Sequence, residues 1–144
     1  MKLLITGGHI TPALAIIDEL LSDKKSKIHI VFVGRKHTSS ARKEISLEYQ
    51  EIHKRDLHFI DIKAGRMTRL LSLRSLKHML MVPSGYVQAF HILRKEKPDL
   101  IVTFGSYIGL PIAICGWILG IPIYVHEQTI HPGLSTQLIG QFAK

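Results

Sequence analysis

From Leu100 to Val125 the chain carries no charged residue, a run of 26. No other feature restricts the fold as strongly. By length alone it fits a membrane-spanning helix. Its internal punctuation argues against that. Gly105, Gly109, Pro111, Gly116, Gly120 and Pro122 divide it into Leu100–Phe104, Pro111–Leu119 and Ile121–Val125. The outer pieces are five-residue apolar runs rich in β-branched side chains, the lengths of strands buried in a parallel sheet. The middle piece reads as a short buried helix. A strand–helix–strand unit is therefore the preferred reading over a membrane span.

The rest of the chain alternates in the same way. Lys2–Thr6 reads as the first strand. A helix is expected from Pro12 to about Asp23, with Ala13, Leu14, Ile17, Leu20 and Leu21 at helical spacing. Thr11 is its expected cap and Pro12 its first turn. Ile28–Val33, closed by Gly34, is the second strand. Ser39 to His53 is a polar helical stretch, and Leu57–Ile62 is the third strand. Arg69 to Lys97 reads as helical with a break near Pro83–Gly85. Leu134 to Lys144 reads as a last helix. Strands alternating with helices predict an α/β fold, a Rossmann-like doubly wound parallel sheet of five strands in the order 3-2-1-4-5.

The 144 residues suit one domain. Cys115 is the single cysteine, which excludes a disulfide scaffold and fits a reducing compartment. Met1 to Gly8 is broken by glycine too early for a signal peptide, so a cytoplasmic location is expected.

Three strand-to-helix turns are unusual: Thr6-Gly7-Gly8-His9, Phe104-Gly105-Ser106-Tyr107, and His126-Glu127-Gln128-Thr129 followed by Pro132-Gly133. In a parallel sheet all three lie on one edge, and the first two flank the point where the winding reverses. Open α/β sheets bind ligands there. Gly7 and Gly8 permit positive φ and close approach to the backbone. With a helix starting just beyond, the turn suits a phosphate or diphosphate, or serves geometry alone. His9 fits a general base or an anion donor, or a capping side chain. Glu127 fits a sugar-orienting group, a base or a helix cap. No spacing of metal ligands stands out, and no cofactor is implied.

The net charge is +8, which points to an anionic partner. Lys63, Arg66, Arg69, Arg74, Lys77, Arg94, Lys95 and Lys97 against Glu96 supply +7 of it. Met67, Leu70, Leu71, Leu73, Leu76, Met79, Leu80, Met81 and Val82 are interleaved. Such a segment fits an anionic bilayer surface, with Arg66, Arg69, Leu70, Leu73, Arg74 and Lys77 as the contacts. It equally fits an ordinary surface helix. Nucleic acid ranks lower, because no aromatic stacking platform or helix-turn-helix is present.

Four stretches together resemble the N-terminal domain of MurG-type glycosyltransferases of family 28, which have the GT-B fold. They are Thr6-Gly7-Gly8-His9 with Pro12-Ala13-Leu14-Ala15; Lys97-Pro98-Asp99; Phe104-Gly105-Ser106-Tyr107 with Pro111; and Gly120-Ile121-Pro122 through His126-Glu127-Gln128 to Pro132-Gly133-Leu134. The resemblance implies an inverting transfer of GlcNAc from UDP-GlcNAc to a sugar on a polyprenyl-diphosphate lipid. It implies His9, Glu127 and Tyr107 as catalytic candidates. It also implies Thr6, Gly7, Gly8, Gly105, Ser106, Gln128 and Thr129 as substrate contacts. The domain would be the acceptor and membrane side, peripheral to the inner face of the cell membrane. A separate C-terminal glycosyltransferase subunit would supply most of the nucleotide-sugar site. A non-catalytic lipid-diphosphate or membrane module is the alternative. The sequence departs from the family pattern in three places. Leu4 and Ile5 stand where two glycines are usual, Ser106 where a second glycine is usual, and Thr129 where asparagine is usual.

Overall fold

A computed structural model describes residues 1–23, 27–38, 44–63 and 73–144, and for residues 73–82 the backbone. The elements in chain order are β1 (Lys2–Thr6), α1 (Ile10–Ser22), β2 (His29–Gly34), α2 (Leu47–Lys54) and β3 (His58–Asp61). They continue as α3 (Leu73–Glu96), β4 (Leu100–Thr103), α4 (Ser106–Ile118), β5 (Ile123–Val125) and α5 (Leu134–Gly140). The five strands form one sheet in the order β3-β2-β1-β4-β5, and every pairing is parallel. The expected order and winding are both found.

Alternation along each strand sends side chains to two cores. Leu4, Val33, Ile101 and Ile123 meet Ala89 and Leu93 of α3, Ile108, Ile112 and Ala113 of α4, and Ile139 of α5. Leu3, Ile5, Ile30 and Phe32 meet Ala13 and Ile17 of α1 and Ile52 of α2. Burial on both faces explains the apolar runs of the inner strands β1, β2 and β4, while the edge strand β3, His-Phe-Ile-Asp, has exposed polar ends. Each fully buried Ile, Leu or Phe contributes about 1.5–3 kcal/mol. Arg55 also ties the two helices of the second face together: Nε and Nη2 donate to Asp18 at 2.6 and 2.9 Å, and Nη1 donates to Glu51 at 3.0 Å.

The uncharged run resolves into β4, α4 and β5. No helix among the described residues is long and apolar enough to cross a membrane. α4 is apolar all round because it lies flat on the sheet, and two glycines let it approach. A Cβ on Gly109 would collide with Thr103 Oγ1, and one on Gly116 with Ile101 Cδ1. Beneath Gly109, Thr6 Oγ1 donates to Thr103 Oγ1 at 2.8 Å, and both threonines are fully buried. This hydroxyl pair joins β1 to β4 where the winding reverses.

Several boundaries differ from the sequence reading. α1 starts at Ile10, with His9 in the N-cap position and no side-chain cap bond, so Thr11 is not the cap. Pro12 is tolerated because N–H groups of the first turn have no intrahelical partner. α3 runs through Pro83 without a break. A proline removes one backbone bond, and the packing of Ala89 and Leu93 outweighs that loss. α4 begins at Ser106, ahead of Pro111. α2 begins at Leu47, where Ser46 Oγ caps it by accepting from the Tyr49 amide at 3.1 Å. α5 ends at Gly140, short of Lys144. Arg66, Arg69 and Leu70 lie outside the described residues. Leu73, Arg74 and Lys77 are on the first turns of α3, where only the backbone is described.

The close seat of α4 generates a test. Gly109→Ala is expected to cost about 1–3 kcal/mol by overpacking against the Thr6–Thr103 pair. Gly116→Ala should cost less, because Ile101 Cδ1 is the movable end of a long side chain. Urea midpoints of the two variants measure the difference, and equal costs would refute the account.

Candidate functional site

The turns after β2, β1, β4 and β5 lie side by side on the carboxyl edge of the sheet. The glycines there make room for other groups, and in each case that group is an oxygen of this chain. A Cβ on Gly7 would stand 2.7 Å from Glu48 Oε2, and one on Gly34 2.8 Å from the same atom. A Cβ on Gly8 would strike Ser106 Oγ, and one on Gly105 would strike Thr136 Oγ1. Gly8 at φ +131° and Gly105 at φ +73° also need the freedom that glycine gives.

Glu48 therefore sits between the first two turns. Oε1 accepts the Gly8 amide at 2.8 Å and Oε2 accepts the Arg35 amide at 3.3 Å. Gly7 N–H donates to Val33 O at 2.7 Å. Ser106 Oγ donates to Gly7 O at 3.2 Å, joining the β1 and β4 turns. Ser106 holds φ +70°, strained for a residue with a side chain. Its hydroxyl bond offsets part of that cost.

His9 and Gln128 meet: His9 Nδ1 is 2.9 Å from Gln128 Nε2. In this orientation the amide donates to Nδ1, and the neutral ring carries its proton on Nε2. Turning the amide over makes Nδ1–H the donor and frees Nε2 to accept a proton. The His9 tautomer and the Gln128 amide orientation are thus coupled.

Glu127 is bound locally. Oε1 accepts the Thr129 hydroxyl at 2.7 Å and the Thr129 amide at 2.9 Å. The Thr129 hydroxyl, its amide, the Thr136 hydroxyl and the Gln128 amide hold the carboxyl at about 2, well below the ordinary glutamate range. Tyr107 turns the other way, toward β2, where its phenol oxygen accepts from Arg35 Nη1 at 2.6 Å. Among the described residues no group of three or more His, Cys, Asp or Glu is placed to hold a metal ion.

Residues 6–144 match the N-terminal domain of glycosyltransferase family 28. The chain belongs to glycosyltransferase family 28. The family 28 domain is 32% identical over 146 residues to an enzyme of Bacillus thuringiensis (strain Al Hakam). That relative is a UDP-N-acetylglucosamine--N-acetylmuramyl-(pentapeptide) pyrophosphoryl-undecaprenol N-acetylglucosamine transferase, and the match covers 99% of this chain and 38% of the relative. A Thermoanaerobacter sp. (strain X514) enzyme of the same designation is 34% identical over 139 residues, covering 96% of this chain and 36% of its own. In fold the domain matches MurG of Acinetobacter baumannii with TM-score 0.72 at 20% identity, over 99% of this chain and 39% of that one. It also matches the UDP-GlcNAc 2-epimerase of Neisseria meningitidis with TM-score 0.60 at 15% identity, over 99% and 39%. The family 28 domain thus spans under two fifths of the length of these relatives.

The site residues named from sequence divide into groups. Gly7, Gly8, Gly105 and Ser106 stand together at the junction of β1 and β4. His9 and Gln128 are hydrogen-bonded, while Glu127 and Thr129 bond each other. Thr6 lies beneath the turn, fully buried, with its hydroxyl on Thr103. Among themselves His9, Glu127 and Tyr107 make no hydrogen bond. Glu48, Arg35 and Thr136 were not named. Gly34 after β2 was the one local sign of a fourth turn on this edge.

The folded value of Glu127 lies below its unfolded one. It therefore adds stability above the ordinary carboxyl range, and that is lost as pH falls toward 2. An NMR titration of its carboxyl carbon should show a midpoint near 2 in the family 28 domain. Thr129→Val should raise that midpoint. A wild-type midpoint at the model-peptide value of about 4.3 would overturn the assignment.

Proposed function

We propose that this domain is the acceptor and membrane side of an inverting hexosyltransferase. The reaction moves GlcNAc from UDP-GlcNAc to a sugar hydroxyl on a polyprenyl diphosphate. The observation that carries the reading is the His9–Gln128 pair beside the glycine turn at the reversal of the sheet, in a chain of family 28. The acceptor hydroxyl attacks the anomeric carbon opposite the departing diphosphate. The bond to UDP breaks, UDP leaves with the electron pair, and His9 Nε2 takes the hydroxyl proton. This step requires the Gln128 amide turned so that its oxygen accepts Nδ1–H, which leaves Nε2 unprotonated.

Glu127 is a poor proton acceptor, because a carboxyl held at about 2 is a weak base. Its role in this reading is a fixed negative charge that orients a sugar hydroxyl or favours positive character at the anomeric carbon. Gly8, Gly105 and Ser106 shape the floor, and Thr6 holds it from below. Nucleotide-sugar contacts come from a C-terminal half, in the same polypeptide or as a separate subunit.

The membrane side of the proposal is the face shared by α3 and the end of α4, at the cytoplasmic surface of the cell membrane. Val87, Trp117 and Ile118 are exposed there. Arg94 and Lys97 join Leu93, Pro98, Leu119 and Ile121 around a cavity of about 270 Å³. Large apolar side chains ringed by cations suit an anionic bilayer.

The test uses the domain completed by a matching C-terminal half, with UDP-GlcNAc and a short polyprenyl-diphosphate sugar. His9→Ala should lower kcat by about 10²–10⁴-fold while binding to anionic liposomes persists. Unchanged turnover would remove His9 as the base. If no C-terminal half restores transfer to any lipid-linked sugar, the enzyme reading fails.

A further inference from the structure

Arg35 is the first residue beyond β2, and no motif in the sequence marks it. Its peptide is held on both sides: the N–H donates to Glu48 Oε2 at 3.3 Å, and the carbonyl accepts from Ser46 Oγ. β2 neighbours β1, and β1 neighbours β4. From this anchorage the side chain crosses the end of β1 and reaches the first turn of α4. There Nη1 donates to Tyr107 Oη at 2.6 Å, and the guanidinium carbon lies 5.9 Å from the Tyr107 ring centroid. A cation is thus fixed above the glycine turn at the reversal of the sheet.

Its charge has no carboxylate partner within ion-pair distance among the described residues, and Arg35 is half-buried. Both oxygens of Glu48 are already engaged by backbone amides. The phenol that holds Nη1 is neutral. Among the described residues the guanidinium donates to Tyr107 through one N–H, and the guanidinium is a planar fork of the kind that grips paired phosphate oxygens.

We infer that Arg35 is the diphosphate-binding residue of this crevice, held in place by Glu48 and Tyr107. The ligand class is a diphosphate ester, either a prenyl diphosphate from the acceptor side or a nucleoside diphosphate from the donor side. The inference deepens the proposed reaction, which supplies both. Glu48 is a positioning residue here, acting through the Arg35 backbone, and Tyr107 fixes the direction of the fork.

The test is direct binding to the 144-residue chain by calorimetry, with farnesyl diphosphate and UDP as separate probes. Saturable binding of either is expected, weakening as salt is raised. Arg35→Gln should weaken it by roughly tenfold or more, and Arg35→Lys by less, since the charge stays but the fork is lost. Tyr107→Phe should weaken binding while preserving the salt dependence, whereas Arg35→Gln should flatten it. That contrast separates a charge on the ligand from a merely structural Arg35–Tyr107 contact. Thermal melts confirm that each variant is folded. An Arg35-dependent response to farnesyl diphosphate alone puts the residue on the acceptor side, and to UDP alone on the donor side. Unchanged affinity in folded Arg35→Gln overturns the inference, as does the absence of saturable binding of both probes by wild type. Because no turnover is measured, Arg35-dependent binding stands even if the transfer reaction fails with every C-terminal half.

Discussion

The Glu48 carboxylate fixes the arrangement of the ligand-facing edge. It lies between the backbones of Gly7 and Gly34, in space that a methyl group on either would fill. It accepts the Gly8 amide from one turn and the Arg35 amide from the next. Hydrogen bonds to an ionised acceptor are stronger than neutral ones. Each amide also loses an alternative partner if the carboxylate leaves. The direction of the Gly8 peptide, the start of the Arg35 side chain and its reach to Tyr107 all follow from this one group. Ser46, two residues earlier, caps α2 and bonds Arg35 O, so helix and strand end are set in register together.

The same principle recurs along the edge. A glycine removes a side chain from a strand end, and an oxygen from elsewhere in the chain enters: Glu48 at Gly7, Ser106 at Gly8, Thr136 at Gly105. These are joints between elements distant in sequence. Ser106 shows what such a joint is worth to the fold. It carries a side chain and keeps a positive φ. In exchange its hydroxyl links the β1 turn to the β4 turn. Thr129 likewise has a local role, binding Glu127 twice.

What was legible in the sequence follows from the range of each interaction. Strands buried on two faces must be apolar, so Lys2–Thr6, the uncharged run and the strand order could be read directly. Helix boundaries are less legible, because Pro83 suggests a break and Pro111 a helix start. Each removes a single backbone bond from a helix held by packing. Gly7 and Gly8 are legible as places of close approach, but not what approaches. Glu48 meets Gly8 across 40 residues and Arg35 meets Tyr107 across 72. Neither partner carries a local signature. His9 and Gln128 could be named separately, while their contact across 119 residues depends on the order of the strands.

That contact bears on how chemistry is divided at the edge. His9 follows β1 and Gln128 follows β5, two strands away with β4 between them. The imidazole thus bonds an amide carried on a separate turn. That turn is itself anchored where His126 N–H donates to Thr103 O at 2.8 Å. Glu127, beside Gln128, is kept ionised by the hydroxyls and amides around it. Two neighbouring residues on one turn therefore do different things: Glu127 carries a stabilised negative charge, and Gln128 bonds the His9 ring. A shift of β5 against β4 would disturb both at once. The parallel pairing of Thr103 with Val125 is in this sense part of the site, although neither side chain faces a ligand in the proposed reaction.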